Sequence, residues 1–332
     1  MIITRTPLRI SFAGGGSDLP AFYERERGAV VSTAIDKYIY VTVNPKFDHK
    51  IRASYSVTEI VDRVADLKHE LIREALYLLN IKEGIEITSI SDIPSQGTGL
   101  GSSSSYTVGL LNALYAYEGH LAGAERLAAE ACHIEIDRCR KPIGKQDQYI
   151  AAYGGLSYIR FNPDGSVFTD PILCSPMARK QLQTRLLMLY TGLTRSADGI
   201  LSEQTQETRS NESKREALRR MVGLADQLFE ALNRDDLDAF GEILHAGWLE
   251  KRKLASNISN GRIDEWYQRA RANGAIGGKL LGAGGGGFLL LYADPAHHDD
   301  ICRALPELRK VPFSFCPQGS KIIYVEENGY RP

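Results

Sequence analysis

Pro94-Ser95-Gln96-Gly97-Thr98-Gly99-Leu100-Gly101-Ser102-Ser103-Ser104-Ser105 is the stretch on which the reading of this chain turns. Three glycines in five residues, Gly97 to Gly101, allow backbone conformations that residues with a Cβ resist. Four serines follow at once, and Val108, Leu111, Leu114 and Tyr115 then recur at helical spacing. The stretch reads as a glycine loop running into a helix N-terminus. Free backbone N–H groups and the positive end of the helix dipole meet there, which suits a phosphate. The serine hydroxyls add donors, and one of them is a candidate magnesium ligand. A flexible Gly/Ser linker is the bland alternative. Ile93 and Pro94 before the loop, and the apolar helix after it, argue against that.

Two familiar nucleotide motifs are excluded. The loop lacks the Gly-Lys-Ser/Thr ending of the common phosphate loop. Nor does a βαβ arrangement with a ribose-binding acid follow it. Pro94 leading to Gly99-Leu100-Gly101-Ser102-Ser103 instead resembles the phosphate loop of the GHMP kinases, among them galactokinase, homoserine kinase, mevalonate kinase and phosphomevalonate kinase.

The chain has 332 residues, 43% of them hydrophobic, and a net charge of −1. That is enough for a sizeable core split between two domains. Near-neutral charge gives no reason to expect nucleic acid or a membrane surface as partner. Arg5 and Arg9 interrupt the first apolar run, so no signal peptide is predicted, and runs such as Phe288–Tyr292 are too short to span a bilayer. Five scattered cysteines without a CxxC pair point to reduced thiols and a cytoplasmic setting. A homo-oligomer is left open.

Thr4–Ala13 alternates as a strand and ends in Gly14-Gly15-Gly16-Ser17-Asp18. This reads equally as a ligand rim or as a tight turn. GHMP kinases carry an N-terminal Pro-x-Arg strand, a glycine turn and an Asp that line the substrate site. Pro7, Arg9, Gly14 to Gly16 and Asp18 match that pattern, so the resemblance favours the rim. Galactokinases have an acid and a histidine within the turn, where this chain has glycines. The turn is similar to that of the sugar-1-kinase branch acting on heptose phosphates and, more distantly, fucose.

Short β-rich runs follow at Ala29–Ala34, Tyr38–Val43 and Ile51–Tyr55. The spacing then predicts a helix over Thr58–Asn80 and a strand over Gly84–Ile90 leading into the glycine loop. A second helix, Ala124–Arg140, carries Glu130, Glu135 and Asp137. Glu130 and Asp137 read as a solvated face. Glu135 lies nearer the apolar face, with Ala131 and Cys132 at i−4 and i−3, and a carboxylate so placed needs a partner such as a cation. The resemblance implies that Glu135 completes a magnesium site begun by Ser103.

Pro142 ends that helix, and Gly144-Lys145-Gln146-Asp147-Gln148 follows. Asp147 reads either as a loop acid paired to Lys145 or as a general base beside cationic neighbours. The number of roles that phosphoryl transfer requires favours the base. GHMP kinases carry an Asp in a Gly-x-Asp segment as their proposed base. Here one extra residue precedes the Asp, and the Gln-Asp-Gln core is similar to that of fucose and heptose phosphate kinases.

After a strand at Leu156–Phe161 and a turn at Asn162–Gly165, the first domain is expected to close near 170–180. Leu186–Tyr190 reads as a strand opening into Thr191–Ala197, where hydroxyls and Arg195 can face phosphates, and Ser196 or Asp198 can cap a helix at the same time. Gly199–Ala255 and Arg262–Asn273 read as helices. Lys279-Leu280-Leu281-Gly282-Ala283-Gly284-Gly285-Gly286-Gly287 contains GxGxxG by letter, but the strand Phe288–Tyr292 follows where a dinucleotide fold needs a helix. The run matches the third GHMP motif. Pro295–Leu308 reads as helical, and Val311–Cys316 and Lys321–Glu326 as strands.

With its three motifs in order, the resemblance implies an α+β, two-domain fold. Its N-terminal domain, residues 1–180, would be ribosomal-protein-S5-like. Its C-terminal domain, residues 181–332, would be ferredoxin-like α+β with extra helices, and the active site would lie between them. The implied reaction is ATP-dependent phosphorylation of the anomeric C1 hydroxyl of D-glycero-D-manno-heptose 7-phosphate to the 1,7-bisphosphate, for surface polysaccharide. L-fucokinase, free-heptose kinase and an inactive sugar sensor are the alternatives. ATP would bind Gly97, Thr98, Gly99, Leu100, Gly101, Ser102, Ser103 and Ser104. Magnesium would bind Ser103 and Glu135. Asp147 would be the base, with Arg9 beside it. The sugar would meet Arg9, Gly14, Gly15, Gly16, Ser17, Asp18, Lys145, Arg195, Gly284, Gly285 and Gly286. Arg140, Lys141, Lys145 and Arg195 are the candidates for its 7-phosphate.

Overall fold

The computed structural model describes residues 1–94, 97–194 and 196–326. Its strands in chain order are β1 (Ile2–Ala13), β2 (Gly28–Pro45), β3 (Ile51–Ser54), β4 (Thr58–Val61), β5 (Ile85–Ser91), β6 (Leu156–Phe161), β7 (Val167–Pro171), β8 (Leu186–Tyr190), β9 (Ala275–Leu280), β10 (Phe288–Ala293), β11 (Arg309–Lys310) and β12 (Lys321–Val325). One eight-stranded sheet runs β12-β1-β2-β5-β3-β4, with β6 on β2 and β7 on β6. A four-stranded sheet runs β11-β8-β10-β9. Antiparallel pairing dominates and helices cover the sheets, an α+β arrangement.

β1 and β2 pair from Ile2↔Val43 to Ala13↔Val31, with register shifts at Pro7/Leu8 and Ser11/Ala13. Pro7 lacks an N–H, and a bulge is where a sheet tolerates it. Leu8 to Ala13 are buried without alternation because both faces of β1 are covered. On one face lies the helix Ser102–Tyr117, where Thr4 Oγ1 donates to the Gly109 carbonyl at 2.8 Å. On the other, Phe12 meets Phe240 of the helix Asp238–Lys251 edge-on at 5.2 Å. Among the described residues, no helix is long and apolar enough to cross a membrane.

Three expectations are corrected. The predicted helix Thr58–Asn80 is strand β4, a 3-10 turn at Val64–Asp66 and a helix only over Glu70–Leu78. Thr58, Ile60 and Val61 are β-branched and pair with Ser54, Arg52 and Ile51, so a neighbouring strand overrides the helical spacing. Val311–Cys316 is not a strand but an extended crossing between the sheets. Val311 N bonds Met188 O at 2.9 Å in one sheet, and Cys316 N bonds Ala34 O at 2.8 Å beside the other. Pro312 and Pro317, which lack N–H groups, bracket the crossing, whose pairing with the first sheet is the isolated bridge Ile35–Phe315 and not a strand. Lys321–Val325, expected with the C-terminal elements, pairs with β1 and returns the chain to the first sheet.

Candidate active site

The glycine loop folds as its spacing requires. Gly97, Gly99 and Gly101 have φ of 69°, 77° and 76°, a left-handed region that residues with a Cβ adopt only at a cost. Gly101 is the N-cap of the helix Ser102–Tyr117, so the first-turn N–H groups open beside the loop. The loop borders a cleft of ≈ 610 Å³ walled also by the N-terminal glycine turn, the Gly144–Asp147 segment and the C-terminal glycine run.

Arg9 joins these walls. Buried at 4% exposure, it donates from Nε to Asp147 Oδ1 and from Nη2 to Asp147 Oδ2, both at 2.7 Å. Its Nη1 donates to the Gly99 carbonyl at 2.7 Å. The guanidinium thus holds the carboxylate in a planar fork and fastens it to the glycine loop. Asp147 faces the cleft at the start of the helix Gln146–Tyr153. Its partner is Arg9 and not Lys145.

Asp18 is 3% exposed and accepts from Gly16 N at 2.8 Å, Gln146 N at 3.3 Å and Gln146 Nε2 at 3.2 Å. Burial, and then the neighbouring Asp147, push its carboxyl above the ordinary value.

Glu135 sits in a π-helical turn, His133–Arg138, that closes the helix begun at Ala124–Cys132. Such turns carry an extra residue and re-aim a side chain. Fully buried behind the loop, Glu135 accepts from Ser103 Oγ at 2.6 Å and from Gln148 Nε2 at 2.7 Å. Burial pushes it up to about 7, against the lowering by the Ser103, Ser104 and Gln148 donors. The donor set is a hydroxyl and a carboxylate, the hard oxygens that magnesium takes, and among the described residues no cationic side chain satisfies the carboxylate. The pair fits a magnesium ion.

Arg9, Gly15, Gly16, Asp18, Asp147, Gly284 and Gly286 line the cleft, as do Gly97, Thr98, Gly99 and Gly101 to Ser104. Other expected residues do not. A Cβ on Gly14 would lie 1.8 Å from the Ala29 carbonyl, so this glycine serves the turn. Ser17 Oγ donates to the Gly14 and Ala29 carbonyls and is fully buried in that turn. Leu100 is buried and Gly285 N bonds the Ile258 carbonyl at 3.0 Å, both backbone roles. Lys145 turns away: its Nζ donates to the Gly165 carbonyl at 3.2 Å and lies 4.4 Å from the Tyr23 ring centroid. Arg140 is exposed outside the cleft, while Lys141 lines it in an ion pair with Glu70 at 3.0 Å. Arg195 lies outside the described residues.

Sequence reasoning missed Lys251, and it placed Lys279 in the third motif without giving it a role. Lys251 lines the cleft at 6% exposure and donates to the Gly282 carbonyl. Lys279 lines it at 4% exposure and donates to the Phe12 carbonyl at 3.2 Å. A signal existed for Lys251: Leu244 and Trp248, seven and three residues before it, place it on the apolar stripe of its helix.

Residues 60–155 match the family described as GHMP kinases N terminal domain, and residues 228–310 match GHMP kinases C terminal. D-glycero-alpha-D-manno-heptose 7-phosphate kinase of Campylobacter jejuni is 30% identical over 96% of this chain and 98% of its own. L-fucokinase/L-fucose-1-P guanylyltransferase of Bacteroides fragilis is 27% identical over 91% of this chain and 36% of its own. In fold, the chain matches a D-glycero-D-manno-heptose 1-phosphate kinase from Bacteroides thetaiotaomicron with TM-score 0.81 at 24% identity, covering 98% of this chain and 100% of that one. With both family domains in order and the cleft built from their glycine motifs, this chain belongs to the GHMP kinases and is a sugar kinase.

Proposed function

We propose that the protein transfers the γ-phosphoryl group of ATP to the C1 hydroxyl of D-glycero-D-manno-heptose 7-phosphate, yielding the 1,7-bisphosphate and ADP. The observation that carries this reading is the Arg9–Asp147 fork directly under the phosphate loop. A Cβ on Gly101 would lie 3.2 Å from Asp147 Oδ2, so the carboxylate sits against the loop that receives the triphosphate. The sugar oxygen attacks phosphorus in line, the bond from the γ-phosphorus to the bridging oxygen breaks, and ADP leaves with that oxygen. Asp147 takes the hydroxyl proton, in the orientation Arg9 imposes.

First-turn N–H groups and Ser102 to Ser104 receive the phosphates. Ser103 and Glu135 would hold magnesium, which would offset charge on the transferred group. Tyr55 meets His69 edge-on at 4.4 Å near Leu71 on the cleft wall, an aromatic and apolar surface suited to the base. Asp18, fixed by three donors, orients sugar hydroxyls. The acceptor follows the Campylobacter relative named above, and the glycine turn agrees with it. The fucokinase relative supports a second reading, an unphosphorylated sugar as acceptor.

The test is ADP release measured across heptose 7-phosphate, free heptose, L-fucose and galactose, with phosphorus NMR of the product. A new anomeric phosphate on the 7-phosphate substrate is expected. Preference for fucose or free heptose would replace this acceptor and leave the kinase chemistry.

A further inference from the structure

The cleft wall contains more hydrogen-bond donors than the protein satisfies. Lys251 and Lys279 each make one hydrogen bond, to a backbone carbonyl, although an ammonium has three donors. Among the described residues, neither lysine has a carboxylate within ion-pair distance. Gln204 is 2% exposed, lines the cleft, and its Nε2 has no partner. A Cβ on Gly16 would lie 2.5 Å from that nitrogen, so the amide is directed at the N-terminal glycine turn. Ser11 is 5% exposed, lines the cleft beside Gly15, and its Oγ is also unpartnered.

Burying two ammonium groups with one acceptor each, and an amide nitrogen with none, is costly unless a ligand supplies the rest. Asp18 already accepts three hydrogen bonds from Gly16 and Gln146. The missing partner is therefore an acceptor-rich anion. A phosphate monoester offers three oxygens and close to two negative charges. The ATP phosphates have their own donors in the loop and the helix N-terminus. Lys279 and Gln204, by contrast, contact Phe12 at the end of β1 and Gly16 in the turn that follows, on the sugar side.

We propose that Lys251, Lys279, Gln204 and Ser11 form the seat of the acceptor sugar's own phosphate, the ester remote from the hydroxyl that reacts. The proposal rests on the sugar-phosphate reading above and replaces Arg140 and Lys145 as the groups that recognise this ester. The groups facing the pair are Arg9, Asp18 and Asp147. Burial first, and then Arg9, hold Lys251 down at about 8. Burial, then Lys251 and Arg9, hold Lys279 well below the ordinary lysine value. A dianion seated between them favours the charged forms, so binding takes up protons.

The test is titration calorimetry at pH 8 in two buffers of different ionisation enthalpy, with heptose 7-phosphate and free heptose as probes. It is paired with the ratio of kcat/KM for the two sugars. Wild-type protein is expected to take up protons with the 7-phosphate only. Lys251→Met removes a charge without removing volume. It should abolish most of that uptake and lower the ratio about tenfold to a hundredfold, the size of one charged hydrogen bond. Gln204→Leu should lower the ratio while retaining the uptake, and melting curves verify that both variants fold. An unchanged ratio in both variants overturns the seat. Equal slowing of both sugars by Lys251→Met also overturns it, since the lysine would then face the transferred phosphoryl. A wild-type enzyme that does not prefer the 7-phosphate removes the underlying acceptor reading instead.

Discussion

Gly99 and Gly282 pass with their backbones in contact: a Cβ on Gly282 would lie 2.3 Å from the Cα of Gly99. Both residues have positive φ, 77° and 70°. Gly287 repeats the relationship, its Cβ position lying 2.4 Å from the Thr98 carbonyl. The glycine run between β9 and β10 therefore braces the glycine loop Gly97–Gly101 from the second sheet. Gly282→Ala adds a carbon where no room exists and strains the backbone by roughly 1–3 kcal/mol. Melting temperature should fall and the KM for ATP should rise. Gly261→Ala, where a Cβ meets nothing within 4 Å, is the control. An ATP KM unchanged by Gly282→Ala would show that the loop holds its shape unaided.

Glu135→Gln keeps the shape of the Ser103–Glu135–Gln148 chain and removes its charge. If Glu135 ligates magnesium, the metal concentration for half-maximal rate should rise at least tenfold and turnover should fall. Kinetic titration with magnesium checks this. Unchanged magnesium dependence would leave Glu135 as a structural acceptor.

The Glu135 carboxyl also predicts a pH effect with a definite sign. Burial raises it to about 7 from an ordinary value of 4.5. Across that window the folded chain keeps a proton that the unfolded chain has released. Its stabilising share is present below about pH 4.5 and is lost as pH rises through about 7. Without magnesium, this share of the melting temperature should decline from pH 5 to 7. Magnesium with ATP should offset the decline. Glu135→Gln should remove the magnesium-free component, and a wild-type curve identical to that of the variant would sink the assignment.

Asp147→Asn retains one fork contact with Arg9 but cannot accept the sugar proton. A general base contributes about 10²–10⁴-fold, so kcat should fall by that range with little change in the KM for ATP. Arg9→Lys loses the planar fork and the tether to Gly99, so it should lower kcat and loosen the loop. Steady-state kinetics of the two variants separate these effects. Near-wild-type kcat in Asp147→Asn would remove the base from the mechanism.

ATP with magnesium should protect Gly97 to Ser104, and the following helix turn, from hydrogen exchange. The N–H groups at this helix end have no carbonyl in the preceding turn and exchange until a phosphate accepts from them. Mass-spectrometric exchange at saturating ATP checks this, and absence of protection would remove the triphosphate from the loop.

Sequence reading reached furthest where the chemistry is local. Glycine spacing reveals positive φ at Gly97, Gly99 and Gly101, and the apolar residues that follow demand a buried helix. It fell short where a distant segment decides. The helical spacing of Thr58–Asn80 yielded to pairing with β3, and the strand expected at Val311–Cys316 is a crossing with only the isolated bridge Ile35–Phe315 to the first sheet. The role of Gly14 and Ser17 in shaping the turn depends on contact with Ala29.

The sequence by itself determined the glycine loop at a helix N-terminus, the strand and glycine turn beside it, and the family whose motifs they are. Each is a property of adjacent residues, set by backbone sterics and side-chain period. Only the tertiary structure decided who meets whom. It gave Asp147 to Arg9 from the other end of the first domain's sequence, turned Lys145 toward Tyr23, and aimed Glu135 inward through a π turn. It also buried Lys251 and Lys279 in one wall although they belong to a helix and a strand. Burial and charge are sums over everything packed around a group, and no stretch of neighbouring residues contains that sum.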